Sequence, residues 1–247
     1  MEVLTDFPKL YCPFIRKTFK VNKEDWKKYG HEYQLRTPEV YLVLNKITPG
    51  FEWVFEEKDT QAIEKLNGTN IKLKTEKGRL IAFQNRKNVI DPLQIIHGRT
   101  HLIEGVFRAI GKEYVKGDGE QAGELMGPKL QGNPYKLDFH VWYPFERARD
   151  FLIYKSFHEH ERTFDNFSSW FKDFLRSRFY MKEHKCPLEE SVFAEGVVFY
   201  NKRLQEAEKT YQAKLRRDMF AWYYDKIEIY DYDSNKAYEI EDQEHFE

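Results

Sequence analysis

The pattern of apolar and polar positions along this 247-residue sequence predicts β-strands with helices inserted between them. Short apolar runs and period-two alternation are typical of strands, whereas apolar positions three and four residues apart are typical of helices. Turn residues at 48–50, 67–68 and 77–78 separate successive runs. Strands are predicted over residues 39–44, 51–55, 61–63, 70–75, 79–83, 121–126, 137–143, 191–200, 212–216 and 226–232.

Three stretches have the spacing of helices. A short helix is predicted at residues 23–29 within an otherwise irregular start over 1–36, an amphipathic helix at 91–110 and a mostly helical stretch at 156–184. An aromatic stripe in the last stretch is predicted to be core, and it consists of Phe164, Phe167, Trp170, Phe171, Phe174 and Leu175. Because strands and helices do not alternate as regular βαβ units, the sequence favours an α+β fold with antiparallel sheets.

Charge and composition narrow the class of partner. Nine acidic and two basic residues lie between Asp225 and Glu247, which leaves a net charge of +6 on residues 1–224. A basic body suits a phosphate-rich partner, although the acidic end could serve solubility alone. The sequence has no apolar run long enough to span a bilayer, no signal-peptide pattern and only two cysteines. We therefore expect a cytoplasmic protein with no membrane partner.

Four short stretches carry candidate chemistry. Lys65 leaves a predicted strand and enters an Asn-Gly turn, and Glu124 ends a predicted strand before a loop rich in Gly and Pro. Glu195 precedes a strongly apolar strand, and Lys214 and Arg216 share one face of another. Taken singly, each is also compatible with an ordinary solvated turn, loop or strand end.

Taken together, these stretches describe a site for phosphoryl transfer. An uncharged lysine can attack phosphorus, and carboxylates can hold Mg²⁺ that bridges phosphate oxygens. Further cations neutralise the phosphates. The predicted strand at 137–143 places Phe139 and Tyr143 on one face and His140 and Trp142 on the other, so it could stack a base.

The same stretches, in this order, resemble the motifs of the covalent nucleotidyltransferase superfamily of ATP-dependent ligases and mRNA capping enzymes, and most closely those of type-2 RNA ligases. E-K-L-N-G-T-N at 64–70 resembles the first motif, and G-E-L-M-G-P-K-L-Q-G-N-P-Y at 123–135 resembles the third with its extension. A-E-G-V-V at 194–198 resembles the fourth, and K-L-R at 214–216 the fifth. The resemblance covers roughly residues 51–220. Asn67 and Asn70 replace the Asp and Arg that are usual in DNA ligases and capping enzymes, which favours RNA as the substrate.

The resemblance implies an adenylyltransferase domain, an ATP-grasp-like nucleotidyltransferase of antiparallel sheets flanked by helices, over residues 51–232. An N-terminal segment at 1–50 would pack on this core, and an acidic tail would follow at 233–247. The implied activity is that of an ATP-dependent RNA ligase, which uses ATP and Mg²⁺, with Mn²⁺ as a substitute. It would join the 5′-phosphate and 3′-hydroxyl ends of RNA through lysyl-AMP and RNA-adenylate intermediates.

The resemblance also implies residue roles. Lys65 would attack the α-phosphorus of ATP, Asn70 would assist the sealing step, and Trp142 would stack on adenine. The catalytic set is Lys65, Asn70, Glu195 and Lys214. The set that binds ATP or AMP is Glu64, Lys65, Arg86, Glu124, Trp142, Lys214 and Arg216, and the metal ligands are Glu195 and Glu124.

Two departures from the family pattern leave alternatives open. Arg216 replaces a lysine that is common in the fifth motif, and a guanidinium stays charged. Related ligases carry a further C-terminal domain, whereas 31 residues follow Arg216, so we expect no separate C-terminal domain and a partner protein could replace it. A DNA nick-sealing ligase, a GTP-dependent enzyme and a non-catalytic module that binds nucleic-acid ends stay as alternatives. The N-terminal segment also contains five lysines that could form a surface for RNA or could simply be exposed to solvent: Lys17, Lys20, Lys23, Lys27 and Lys28.

Overall fold

The computed structural model describes residues 3–91, 100–201, 203–206 and 211–231. The chain forms two compact units. The first unit comprises Met1–Lys9, Leu66–Tyr154 and Arg176–Ala194, and the second comprises Leu10–Lys65, Lys155–Leu175 and Glu195–Glu247. The domain boundaries predicted at residues 50 and 232 stay a prediction. Within the described residues, no helix has the length and apolarity that crossing a membrane requires.

The strands and helices in the described ranges are numbered in chain order. The strands are β1 (Phe14–Val21), β2 (Glu39–Ile47), β3 (Gln61–Lys65), β4 (Thr69–Glu76), β5 (Arg79–Asn85), β6 (Asn88–Val89), β7 (Gly119–Met126), β8 (Val141–Pro144), β9 (Gly196–Tyr200), β10 (Gln212–Arg216) and β11 (Ile229–Asp231). The helices are α1 (Lys23–Tyr29), α2 (Trp53–Glu56), α3 (Thr100–Gly111), α4 (Phe145–Phe151), α5 (Phe164–Ser169) and α6 (Arg178–His184). A π-helical turn follows α5 at Trp170–Phe174, and 3-10 turns lie at Lys155–His158, Leu188–Glu190, Arg203–Glu206, Arg217–Met219 and Ala221–Tyr224.

The first unit is built on a five-stranded antiparallel sheet in the order β6-β5-β4-β7-β8. Successive residues of a strand point to opposite faces, so Ile71 and Leu73 of β4 point into the core while the polar residues between them point away. Helix α3 covers the apolar face with Leu102 and Val106. This burial fixes which β4 residues remain on the other face.

The second unit contains two three-stranded antiparallel sheets, in the orders β10-β9-β3 and β11-β1-β2. The β11-β1-β2 sheet packs Val21, Val40 and Leu42 against Tyr224. Near the other sheet, Phe167 lies edge-on to Phe14 and to Phe199 of β9. The predicted α+β class with antiparallel sheets is confirmed, since every pair of named strands is antiparallel.

Local signals set several boundaries where they were predicted. Helix α1 begins and ends as predicted, because the Asn22 side chain accepts a hydrogen bond from the backbone N–H of Glu24 at 2.9 Å and caps the first turn. Strand β10 also has its predicted bounds. The helix predicted at 91–110 is described from Thr100 onward, and residues 92–99 lie outside the described residues. The predicted acidic tail and the end of the strand predicted at 226–232 lie outside them too.

Other boundaries were wrong for identifiable reasons. The run at 51–55 is helical at α2, because so short an apolar run has no decisive period. Strand β1 was missed within 1–36, where basic residues interrupt the alternation. The stretch at 156–184 is broken because Ser177 caps a new helix, with its side chain accepting from the N–H of Tyr180 at 2.9 Å. Phe174 of the aromatic stripe is 68% exposed, although Phe167 and Phe171 are core.

Candidate active site

Strand pairing in the second unit brings three predicted site residues to one face of a sheet. Lys65, at the end of β3, and Arg216, at the end of β10, both pair with Gly196 at the start of β9. Directly opposed residues of antiparallel strands project to the same face, so Lys65 and Arg216 share a face. Lys214 lies two residues before Arg216 and projects to that face as well, as predicted.

A chain of alternating charges joins the side chains at this end of the sheet. Lys65 Nζ lies 2.7 Å from Glu195 Oε2, and Arg216 Nη1 lies 3.9 Å from Glu195 Oε1. Arg216 Nε lies 3.0 Å from Asp218 Oδ1. The Lys65 side chain is 24% exposed and that of Glu195 is 19% exposed, so a ligand can reach the pair while much of the surrounding water is excluded.

Burial raises the pKa of Asp218, and the neighbouring Arg216 guanidinium opposes this rise. The Glu195 carboxylate raises the pKa of Asp218 further, whereas the Lys65 ammonium lowers it. The carboxyl group of Asp218 is therefore electrostatically linked to the whole charge chain, although neither periodicity nor motif spacing identified it. The only signal in the sequence is its position two residues after Arg216.

Gly196 is required by the close approach of β9 to β10. A Cβ atom at this position would lie 2.2 Å from the Leu215 carbonyl oxygen and 2.8 Å from the Arg216 Cα. Both are far inside normal contact distances, so any larger residue would push the two strands apart. The glycine therefore holds Glu195 next to the strand that carries Arg216.

Glu64 does not share the face that carries Lys65. Adjacent residues of β3 alternate between faces, and the Glu64 side chain is buried on the opposite side with its residue only 2% exposed. The structure therefore gives no support to the nucleotide contact predicted for the Glu64 side chain.

In the first unit, the register of the sheet brings Asn70 and Glu124 together. Asn70 of β4 pairs directly with Glu124 of β7, and the Glu124 residue is buried. Arg86 follows Asn85, whose partner Ile71 is the neighbour of Asn70. Arg86 has a positive φ of 50° in the tight β5–β6 turn, and its carbonyl oxygen accepts a hydrogen bond from Gln84 Nε2. Three predicted site residues of this unit thus lie at one end of its sheet.

Trp142 is placed differently from its predicted role. It is fully buried in the core under α3, and its indole N–H donates to the Ile71 carbonyl oxygen at 3.2 Å. The register pairs Glu124 with Tyr143, so Tyr143 is the β8 aromatic on the Glu124 face. A shift of one residue along a strand reverses the face of a side chain. This placement leaves no face of the Trp142 indole open for an adenine ring.

A second residue that sequence reasoning missed is Tyr135. Its hydroxyl oxygen accepts a hydrogen bond from the backbone N–H of Asn67 at 2.9 Å. The bond ties the Asn-Gly turn after Lys65 to the loop that follows β7. Within the described residues, no three His, Cys, Asp or Glu side chains are grouped so that they could hold a metal ion by themselves.

In a comparison with solved structures, the chain is similar to structures of RNA ligase. A mutant RNA ligase of Naegleria gruberi with ATP and Mn is 14% identical, with a TM-score of 0.43 over 68% of this chain and 51% of that chain. A second mutant with AMP and Mn is 14% identical, with a TM-score of 0.43 over 70% and 54%.

A third structure of the same Naegleria gruberi enzyme, a ligand-free mutant, is 13% identical, with a TM-score of 0.43 over 91% of this chain and 61% of that chain. The chain spans about half the length of the first RNA ligase chains that it matches. Neither a protein-family model nor a curated protein sequence matches it. At these identities and TM-scores the similarity assigns no activity to this chain.

Proposed function

We propose that this chain is an ATP-dependent RNA ligase that forms a covalent lysyl-AMP intermediate at Lys65. The contact of 2.7 Å between Lys65 Nζ and Glu195 Oε2 supports this proposal most directly. A purely structural ion pair requires one cation, whereas here Arg216 approaches the same carboxylate and Lys214 lies on the same face. Three cationic side chains on one face of the sheet suit a phosphate-rich ligand.

In the proposed first step, Lys65 Nζ attacks the α-phosphorus of ATP. The N–P bond forms while the bond from the α-phosphorus to the oxygen that bridges to the β-phosphate breaks, and pyrophosphate leaves. The ammonium loses one proton before attack and a second as the phosphoramidate forms. In the resting chain Glu195 holds the ammonium, so release of the amine requires another cation at this carboxylate.

Glu195 and Glu124 each offer a carboxylate of the kind that binds a hard divalent cation. Mg²⁺ is commonly bound through one or two carboxylates together with substrate phosphates and water, so a complete set of protein ligands is not needed. Glu195 would hold the cation in the second unit, and Glu124 is the proposed carboxylate ligand of the first. Mg²⁺ or Mn²⁺ would neutralise the triphosphate when bound. Arg216 and Lys214 would bind the α-phosphate and orient it for in-line attack.

Two further transfers complete the proposed reaction. The AMP group passes from Lys65 to the 5′-phosphate of an RNA end, which breaks the N–P bond and forms a pyrophosphate linkage. The 3′-hydroxyl of the second end then attacks the 5′-phosphorus, so that a phosphodiester forms and AMP leaves. We assign Asn70 and Arg86 to contacts with the reacting phosphates in these steps.

The decisive experiment uses ATP labelled at the α-phosphate, together with Mg²⁺. Wild-type protein is expected to acquire an acid-stable label, and mass spectrometry is expected to find one AMP on Lys65. Lys65→Ala and Lys65→Arg should both remain unlabelled, since neither offers an uncharged amine. Lys172→Ala, which removes an exposed lysine elsewhere in the same unit, is the matched control. Label that persists in Lys65→Ala would reject the proposal.

The substrate is tested separately from adenylylation. Nicked duplexes and single strands of RNA, DNA and hybrid composition are offered with ATP or GTP. RNA sealing with ATP is expected. Preferential sealing of DNA would indicate a DNA nick-sealing ligase instead, and a preference for GTP would indicate a GTP-dependent enzyme of the same superfamily. Normal RNA binding without any AMP transfer would favour the non-catalytic module.

A further inference from the structure

A ladder of cations and aromatic rings crosses the surface of the first unit. Arg108 Cζ lies 4.5 Å from the ring centroid of Phe139, and Lys112 Nζ lies 5.1 Å from the same centroid. Lys112 Nζ also lies 5.6 Å from the ring centroid of Tyr114, and Arg147 is the next cation at that ring. Cations at these distances from a ring face are attracted by its quadrupole.

The far end of the ladder surrounds an exposed ring. Arg147 Cζ lies 4.4 Å from the ring centroid of Tyr114 and 4.6 Å from that of Phe151. Lys182 Nζ lies 5.0 Å from the Phe151 centroid. Phe151 is 45% exposed at the end of α4, so it has two cations next to it and still presents part of its surface to solvent.

The two ends of the ladder differ in how their charges are balanced. Glu104 lies 3.5 Å from Arg108, and Glu183 lies 2.8 Å from Lys112. In the part of the chain that the structure describes, no carboxylate lies within ion-pair distance of Arg147 or Lys182. Within the described residues, the two cations next to Phe151 therefore have no direct carboxylate partner, whereas Arg108 and Lys112 do.

We propose that Arg147, Phe151 and Lys182 form a contact surface for the RNA strand, which extends the proposed ligase function and rests on it. An unpaired base would displace the exposed Lys182 side chain from the Phe151 ring and stack there, and Lys182 and Arg147 would then contact the adjoining phosphates. An exposed ring next to cations that have no direct carboxylate partner in the described residues matches both chemical features of single-stranded nucleic acid. An acidic peptide would use the cations but has no base to place on the ring.

The test measures binding of a fluorescently labelled single-stranded RNA by anisotropy over a range of salt concentrations. Phe151→Ala is expected to weaken binding about tenfold, the usual effect of losing one base stack. Phe151→Trp should retain wild-type affinity, because the stacking surface is kept. Lys182→Ala should weaken binding to all sequences alike and reduce the slope of log Kd against log salt by about one.

The matched control is Phe174→Ala in the second unit. Phe174 is 68% exposed, and within the described residues no cation lies over its ring, so its removal should leave RNA affinity unchanged. Thermal melting of each variant checks that the fold is intact. Affinities of Phe151→Ala and Lys182→Ala equal to that of the wild type would overturn the proposal. Competition by poly-glutamate that depends on Phe151 as strongly as RNA binding does would also overturn the assignment to RNA.

This experiment separates the contact surface from the ligase proposal. Lys65→Ala should lose the AMP label and keep the Phe151-dependent RNA affinity. Absence of an AMP adduct on wild-type protein would reject the ligase proposal. The anisotropy measurements would still show whether Phe151 contributes to RNA binding, because they do not depend on AMP transfer.

Discussion

At the scale of single residues, the contact between Lys65 and Glu195 places a requirement on the chemistry. A carboxylate 2.7 Å away stabilises an ammonium, whereas the attacking amine must be uncharged. In the proposed reaction, the contact between Lys65 and Glu195 would therefore have to open before attack, so that Lys65 Nζ can reach the α-phosphorus.

We predict that Asp218 orients the Arg216 guanidinium and that both side chains are needed for fast formation of lysyl-AMP. Arg216→Lys keeps a positive charge but loses the planar guanidinium that faces both Glu195 and Asp218. Asp218→Asn keeps the shape and removes the charge that orients Arg216. We expect each change to slow lysyl-AMP formation about tenfold or more, as for the loss of one charged hydrogen bond. Rapid-quench measurement of single-turnover labelling checks this.

The control for that prediction is Asp59→Asn. Asp59 forms an exposed ion pair with Arg203 at 3.2 Å, so this variant loses a comparable contact away from the site. It should label at the wild-type rate. Equal rates for Asp218→Asn and Asp59→Asn would show that Asp218 does not position Arg216.

The site residues that the sequence could predict are those placed by strand period and motif order. Lys65 lies 130 residues before Glu195 along the chain. Antiparallel pairing of Lys65 and Arg216 with Gly196 brings both cations next to Glu195. Asp218 follows the strand in a 3-10 turn, where no period applies. The error at Trp142 has the same origin, since one residue decides which face a β8 side chain occupies.

At the scale of elements, Gly196 decides whether β9 and β10 can pair. In Gly196→Ala the new methyl group would lie 2.2 Å from the Leu215 carbonyl oxygen. We expect a loss of about 1–3 kcal/mol in the free energy of unfolding, as for other overpacked sites. Lysyl-AMP formation should be slower as well. Strand β10 carries Lys214 and Arg216, and β9 begins directly after Glu195, so a shift between the two strands would move these side chains apart. Urea unfolding and α-phosphate labelling measure the two effects.

Gly111→Ala provides the comparison for Gly196→Ala. A Cβ at Gly111 would meet no atom within 4 Å, so the change in stability should stay within about 0.5 kcal/mol. An equal loss at both positions would mean that close approach to Leu215 is not the cause.

A second prediction at this scale concerns the contact between α3 and the residue that precedes β8. Glu104 Oε2 lies 2.9 Å from His140 Nδ1, and this hydrogen bond lowers the pKa of Glu104. A lowered folded-state pKa adds stability above the ordinary pKa of glutamate, and that stability is lost as the pH falls through the lowered value. Glu104→Gln should therefore destabilise the protein at neutral pH, by less than about 1 kcal/mol because the side chain is half exposed.

Urea unfolding at decreasing pH measures this effect. The difference between Glu104→Gln and wild type should shrink toward acid pH, where the wild-type carboxyl also becomes neutral. Glu113→Gln, which removes a carboxylate at an exposed position just after α3, is the control. A difference that stays constant with pH would exclude the carboxylate charge as the source of the stability.

The elements that the sequence predicted well have local signals of their own. The Asn22 cap marks the start of α1, and alternation marks β4 and β10. Strand β1 has lysine and arginine on its exposed side, and only its pairing with β2 and β11 reveals it as a strand. The break within residues 156–184 depends on tertiary packing around Leu175 and on the cap at Ser177, which period alone does not show.

At the scale of the whole molecule, the uneven charge of the sequence bears on the RNA binding that we propose. Residues 1–224 carry a net charge of +6, whereas residues 1–247 together carry −1. Long-range fields act on the rate of encounter and are screened by salt. The acidic end should therefore lower the association rate constant for RNA at low ionic strength. This effect does not depend on which contacts form after the encounter.

Removal of residues 232–247 tests this consequence of charge. The segment contains six acidic residues and one basic residue, so truncation after Asp231 changes the formal net charge from −1 to +4 and retains β11. We expect RNA affinity to rise several-fold at low salt and to approach the wild-type value near 1 M salt, where the Debye length is about 3 Å. Replacing the six acids by their amides should reproduce the truncation, since length is unchanged and only charge is removed. Lysyl-AMP formation should be unaffected in both variants. Stopped-flow anisotropy assigns the gain to the association rate, and a gain that survives at high salt would point to a cause other than long-range charge.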